Sequence, residues 1–197
     1  MINDVINILT NELNSYLHPK TGIENLVVQE SLVTQSGSLS PNINSKVVLS
    51  VVNMEEDRIS RSLDIRRKQV NGSIDRTKQE IRFNLYILLA AHFPSSNSSN
   101  IYNVGLKALS GVVSFFQSKN VFTQKNTAGL PDAIDKLLVE HYSLSFEQQN
   151  HLWGALGAKY LPSVMYKIRL IVFQEEPITL GGPPIMNVDI KTKDSNL

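Results

Sequence analysis

Ile81-Arg82-Phe83-Asn84-Leu85-Tyr86-Ile87-Leu88-Leu89 is the stretch from which the fold of this chain can be read. Ile81, Phe83, Leu85, Ile87 and Leu89 fall on one side of an extended backbone and Arg82, Asn84 and Tyr86 on the other, the period of two that marks a long strand. The uninterrupted apolar run, Leu85 to Ala91, is the longest in the chain. It is far short of the roughly 20 residues a membrane-spanning helix needs, so the sequence carries no membrane segment of that kind.

Working outward, two more strands frame this one. Val164, Tyr166, Ile168, Leu170 and Val172 alternate with Met165, Lys167, Arg169, Ile171 and Phe173, which predicts a second long strand. Lys46 to Asn53 is β-branched with little polar alternation, the pattern of a central strand covered on both faces. Leu26-Val27-Val28 and Leu137 to Leu144 are shorter strand candidates, and Ser31 to Ser45 and Asn120 to Pro131 read as loops. Three helices accompany the strands. Ile2, Val5, Ile6, Leu9, Leu13 and Leu17 form one apolar stripe, ended by Pro19 and Gly22. Ile101 to Phe116 forms another, with Gly105 and Gly111 where a neighbouring backbone could approach. Ser145-Phe146-Glu147-Gln148 fits the capping-box pattern and opens a third, which Gly154 and Gly157 weaken and Pro162 closes. The expected class is α+β, a mostly antiparallel sheet packed by about three helices. A domain over residues 1–175 is followed by an extended tail, 176–197, rich in Pro and Gly at its start.

Composition narrows the function classes. Of 197 residues 42% are hydrophobic and 19% charged, with a formal net charge of +1. A hydrophobic share near the globular average without high net charge is enough to bury a core, so global disorder is excluded. A near-neutral chain has no long-range field to steer in a polyanion, and nucleic acid is disfavoured as a partner. The absence of cysteine excludes disulfides, thiolate metal sites and a cysteine nucleophile. His18, His92, His141 and His151 never fall four apart, the spacing that pairs two imidazoles on one helical face for a metal. No glycine-rich phosphate loop and no Gly-x-Ser-x-Gly elbow is present. The expectation is a non-enzymatic protein with no cofactor and no metal. With Asp4 and Glu12 inside the stretch a signal peptide would occupy, it is expected to be cytoplasmic on synthesis.

One local charge anomaly stands out. Between Arg58 and Arg82 lie Arg58, Arg61, Arg66, Arg67, Lys68, Arg76, Lys78 and Arg82 against Asp64, Asp75 and Glu80. Lying between two strong strands, the segment reads as a long hairpin or loop. Three readings stand for it: a solvated hairpin, a basic rim that docks on an acidic protein surface, or a phosphate-binding patch. The lack of aromatics before Phe83 weighs against the last. In the tail, Met186, Val188 and Ile190 would share one strand face and Asn187 and Asp189 the other, with Ile185 the apolar exception. Such a segment is suited to adding a strand to an exposed sheet edge, if it is not simply a frayed terminus.

The block Asn150-His151-Leu152-Trp153-Gly154-Ala155-Leu156-Gly157-Ala158-Lys159-Tyr160-Leu161-Pro162-Ser163-Val164-Met165-Tyr166-Lys167-Ile168-Arg169, with Val47 to Glu56, Phe83 to Ala91 and Val113 to Gln117 in order before it, resembles one family. This is the N-terminal domain of the tube-cap, or tail-terminator, proteins of phage-tail-like contractile injection systems of the Photorhabdus virulence cassette and antifeeding prophage type. The similarity runs from Met1 to about Glu175. It implies a tail-terminator-like fold and a hexameric ring that caps the inner tube, ends tube and sheath polymerisation, and binds tube and sheath proteins in a particle open to release from the cell. The alternative from the residues alone is a small nucleic-acid or polyphosphate-binding module using the basic 58–82 loop.

On the family reading, Arg58, Arg61, Arg66, Arg67 and Lys68 are tube or sheath contacts. His151, Trp153, Lys159 and Tyr160 are subunit-interface candidates, although core packing is an equally open reading for Trp153 and Tyr160. Ile185, Met186, Val188 and Ile190 are the tail-strand candidates. Longer members of the family carry sequence beyond this domain.

Overall fold

The computed structural model describes residues 2–34, 36–57, 66–68, 74–76, 80–94 and 100–173. Helix α1 (Ile2–Thr21) buries Val5, Ile6, Leu9, Leu13 and Leu17, the stripe the spacing predicts. Pro19 does not end it. Pro19 and Ser15, whose carbonyl loses its usual helical partner, are both exposed, so water can satisfy the group and the helix runs on to Thr21. Gly22 makes the stop: its φ is +69° and its N–H bonds the His18 carbonyl at 2.8 Å.

Strands β1 (Val27–Gln29) and β2 (Lys46–Glu56) follow, separated by a 3-10 turn at Pro41–Ile43. A short hairpin, β3 (Arg66–Lys68) and β4 (Ile74–Arg76), precedes the long β5 (Glu80–His92). After α2 (Asn100–Ser118) come β6 (Val121–Thr123), β7 (Ile134–His141), α3 (Phe146–Leu156) and β8 (Ser163–Phe173). Six strands form one sheet in the order β1-β2-β5-β8-β7-β6. Every neighbouring pair is antiparallel except β1 with β2. The class is α+β, as the residues predict.

The alternation in β5 sorts the core into two. Leu85, Ile87, Leu89 and Ala91 join α1, α2, Val47, Leu49, Ile168 and Leu170 on one face. Tyr86, Leu88 and Ala90 join Val48, Met165, Leu32, Ile43 and Trp153 on the other. Both glycines of α2 mark close packing: a Cβ on Gly111 would stand 2.4 Å from Leu17 Cδ2, and one on Gly105 2.9 Å from Phe93 Cδ2. Three expectations need correction. The loop 120–131 contains β6, too short at Val121–Thr123 to declare a period. The strand expected at 137–144 lies at Ile134–His141. And β2 is second from the edge of the sheet, not central. It is covered on both faces only from Val47 to Leu49, while Val51 and Met54 are exposed.

Candidate interaction surfaces

Helix α3 starts as its sequence dictates. Ser145 Oγ accepts from the Gln148 N–H at 3.2 Å while the Gln148 side chain accepts from the Ser145 N–H at 3.0 Å, closing the capping box. Gly157 ends the helix in the left-handed region, φ +67°. Trp153 is the helix residue that is buried, packed with Leu88 and Met165 and with Tyr160 edge-on at 5.7 Å. Its indole N–H has no partner, so Trp153 holds α3 to the sheet by packing alone. Tyr160, by contrast, is 59% exposed, and His151 and Lys159 are also exposed. A Cβ on Gly154 would meet nothing within 4 Å, so the outer side of α3 stands open. Phe146, the first residue of the helix, is 92% exposed. An aromatic so little covered is a natural anchor for a partner, and it escaped the sequence reading because the capping pattern accounted for its position without asking which way it pointed.

Beyond α3 the same sheet face is polar. Glu55 Oε1 accepts from the Tyr86 hydroxyl at 2.6 Å and from Asn84 Nδ2 at 3.3 Å, with Lys167 Nζ at 3.8 Å. Lys167 also lies over the Tyr86 ring, 5.5 Å from its centroid. Arg169 pairs with Glu140 at 3.0 Å. Burial first, then the Glu55 hydrogen bond, pushes the Tyr86 phenol up to about 12; burial alone does the same to Tyr166. Asn84 is buried, and its Oδ1 has no partner. Apart from Asn84 Oδ1 these side chains pair with one another across the sheet face. Among the described residues no three His, Asp or Glu approach closely enough to hold a metal, and no helix is long and apolar enough to cross a membrane.

The sheet edges are treated unequally. At β1 the Asn14 side chain on α1 accepts from the Val27 N–H and donates to the Val27 carbonyl, both at 2.8 Å. At β6 the Asn126 side chain accepts from the Thr123 N–H at 2.8 Å and donates to the Val121 carbonyl at 2.9 Å. Each asparagine closes an edge that would otherwise invite another strand. Where β1 ends, a groove of about 670 Å³ opens between Glu30 to Thr34, Ser50, Val51 and the end of α3. A second cleft of about 250 Å³ lies beside Trp153, Gln149 and His141.

The remaining expected site residues are not brought together. Arg66, Arg67 and Lys68 form β3, paired in register with Arg76, Asp75 and Ile74. Arg58 and Arg61, and the tail residues Ile185, Met186, Val188 and Ile190, lie outside the described residues.

Two solved structures share this fold. One is the PVC sheath/tube terminator of an extracellular contractile injection system in its extended state, 14% identical, TM-score 0.59, matched over 100% of this chain and 64% of that one. The other is the tube terminating cap of the anti-feeding prophage, 11% identical, TM-score 0.57, matched over 95% and 60%. The chain therefore spans less than two thirds of either. No curated protein sequence matches it significantly. The family model for the Pvc16 N-terminal domain matches residues 4–187, and the chain belongs to that family.

Proposed function

We propose that this domain is a structural, non-enzymatic terminator that ends the inner tube of a contractile injection particle and joins it to the last sheath layer. The observation that carries the reading is the match of the whole chain to a sheath/tube terminator, within a family matched over residues 4–187. Physical chemistry supports it: the polar patch around Glu55 and the exposed outer side of α3 suit protein contact rather than turnover. On this reading the domain works as a ring, hexameric by the family resemblance, and the particle is released from the cell that makes it. His151, Lys159 and Tyr160 contact the neighbouring subunit, with Trp153 fixing the helix that presents them. The basic segment with Arg58, Arg61, Arg66, Arg67 and Lys68 meets tube or sheath carboxylates. On this reading the tail is a separate element from about residue 176. The nucleic-acid reading rests on residues 58–82 alone, and neither the family nor the two solved structures adds to it.

The test is polymerisation of the cognate tube protein with and without this domain. Tubes should stop growing once it is added, and electron microscopy should find it at one tube end. Unchanged tube lengths with no end density would refute the reading. Reversing Arg66, Arg67 and Lys68 to Glu should abolish that capping while the circular dichroism stays unchanged.

A further inference from the structure

The sheet has a further edge, along the end of β2, and among the described residues no strand covers it. The backbone of β2 is paired on its outer side with β1 only as far as Leu49, whose carbonyl accepts from the Glu30 N–H at 3.4 Å. Ser50 Oγ then donates to the Glu30 carbonyl at 2.5 Å, and from Val51 to Glu55 no strand among the described residues lies outside β2. The edge offers apolar side chains, Val51 at 40% and Met54 at 56% exposure. The Asn53 side chain accepts from its Met54 N–H at 2.9 Å. Among the described residues no strand pairs with this apolar edge, and such an edge invites strand addition.

We infer that this edge accepts the tail segment Ile185 to Ile190 from a second copy of the same chain. Length, position and connectivity select that occupant. The segment alternates as a strand, matches the length of the free edge and cannot bury its apolar residues alone. The chain leaves β8 at Phe173, in register with Glu80, and β2 ends at Glu56, in register with Phe83. Donor and acceptor thus emerge at the same end of the sheet. The outer side of β2 is three strand spacings from β8, about 14 Å, and residues 174–184 span up to about 36 Å. Reach alone would allow a tail to fold onto its own β2. But residues 57–79 connect β2 to β5 at that same end, and a returning tail would cross that connection, which chains avoid. Passing to the next copy avoids the crossing. One donor and one acceptor on each copy make the contact head-to-tail, the type that closes into rings. The inference needs a second copy of the chain but not the capping role, so it stands or falls separately from it.

The chain lacks cysteine, which makes a crosslinking test clean. Full-length Met54→Cys and Val188→Cys chains are mixed at high concentration and treated with a short bis-maleimide. The expected product is a dimer holding one chain of each kind, and a ladder of oligomers from the double variant. A double variant that links only within one chain would overturn donation to a second copy. No linkage in either sample would overturn the edge assignment. Adding Asn187→Pro, which cannot donate to a ladder, should abolish the crosslinked dimer without changing the circular dichroism; a dimer that persists would equally refute the pairing.

Discussion

The two faces of the six-stranded sheet are built from alternate residues of the same strands yet follow opposite designs. On the α1 and α2 face, Leu9, Leu13, Leu17, Leu85, Ile87 and Leu89 are all at most 1% exposed, and two glycines let the layers meet closely. On the α3 face the apolar cover stops after Tyr86, and the strands continue as Asn84, Glu55, Lys167, Arg169 and Glu140, paired among themselves. The first face holds the domain together. The second is apolar where α3 is fastened and polar beyond it. Hydrophobic burial is non-directional and rewards complete coverage, whereas polar groups are held by directional pairing with one another or with water.

Breaking this comparison should cost most on the covered face. Leu13→Ala should destabilise the fold by about 2–5 kcal/mol, the range for a buried leucine with partial collapse, measured by urea unfolding. A cost as small as that of a surface change would mean that α1 is not part of the core. The edges come next: Asn14→Ala strips both partners from Val27, at about 1–3 kcal/mol for polar groups left wanting. Light scattering should also rise with concentration as β1 becomes pairable. If neither changes, Asn14 does not guard the edge. Ser145→Ala should remove the α3 cap at about 1 kcal/mol, and because α3 packs on the sheet through Trp153, the lone tryptophan's fluorescence should report the loosening.

A pH dependence is expected as well. Tyr86 and Tyr166 ionise near 12 in the folded chain and near 10 once unfolded. The folded state therefore holds these protons more tightly. The stability that follows is fully present below pH 10 and is lost as pH rises through 10 to 12. Tyrosinate absorbance should show two late-titrating groups, and Tyr86→Phe should leave one. Stability that climbs over the same interval would contradict the burial of both phenols.

How much of this was legible beforehand depends on the range over which each signal acts. The capping box of α3, the stripe of α1 and the alternation of β5 are local patterns, and each survives in the structure because propensity and burial agree there. The residue-level resemblance in the blocks from Val47 to Arg169 carried the family, which no periodicity could supply. Pro19 misled because it lies in the last turn of α1, two residues before the helix ends at Thr21, and the Ser15 carbonyl it orphans is exposed. Phe146 and the Glu55 cluster were invisible for another reason: exposure of one and convergence of the others depend on which strands become neighbours, and Glu55 meets Tyr86 and Lys167 only through the order β2-β5-β8.

The sequence by itself determined the three helices and the long strands β5 and β8, the apolar residues that face a core, and the kinship of the chain, because these are written at spacings of two, three or four residues or in contiguous motifs. Only the tertiary structure decided which face stays polar, which edges Asn14 and Asn126 close, and which stretch of β2 remains open. Those properties are set by pairings between residues far apart in the chain, such as Asn14 with Val27 and Glu30 with Leu49, and a pattern read along one segment contains no record of what folding will place beside it.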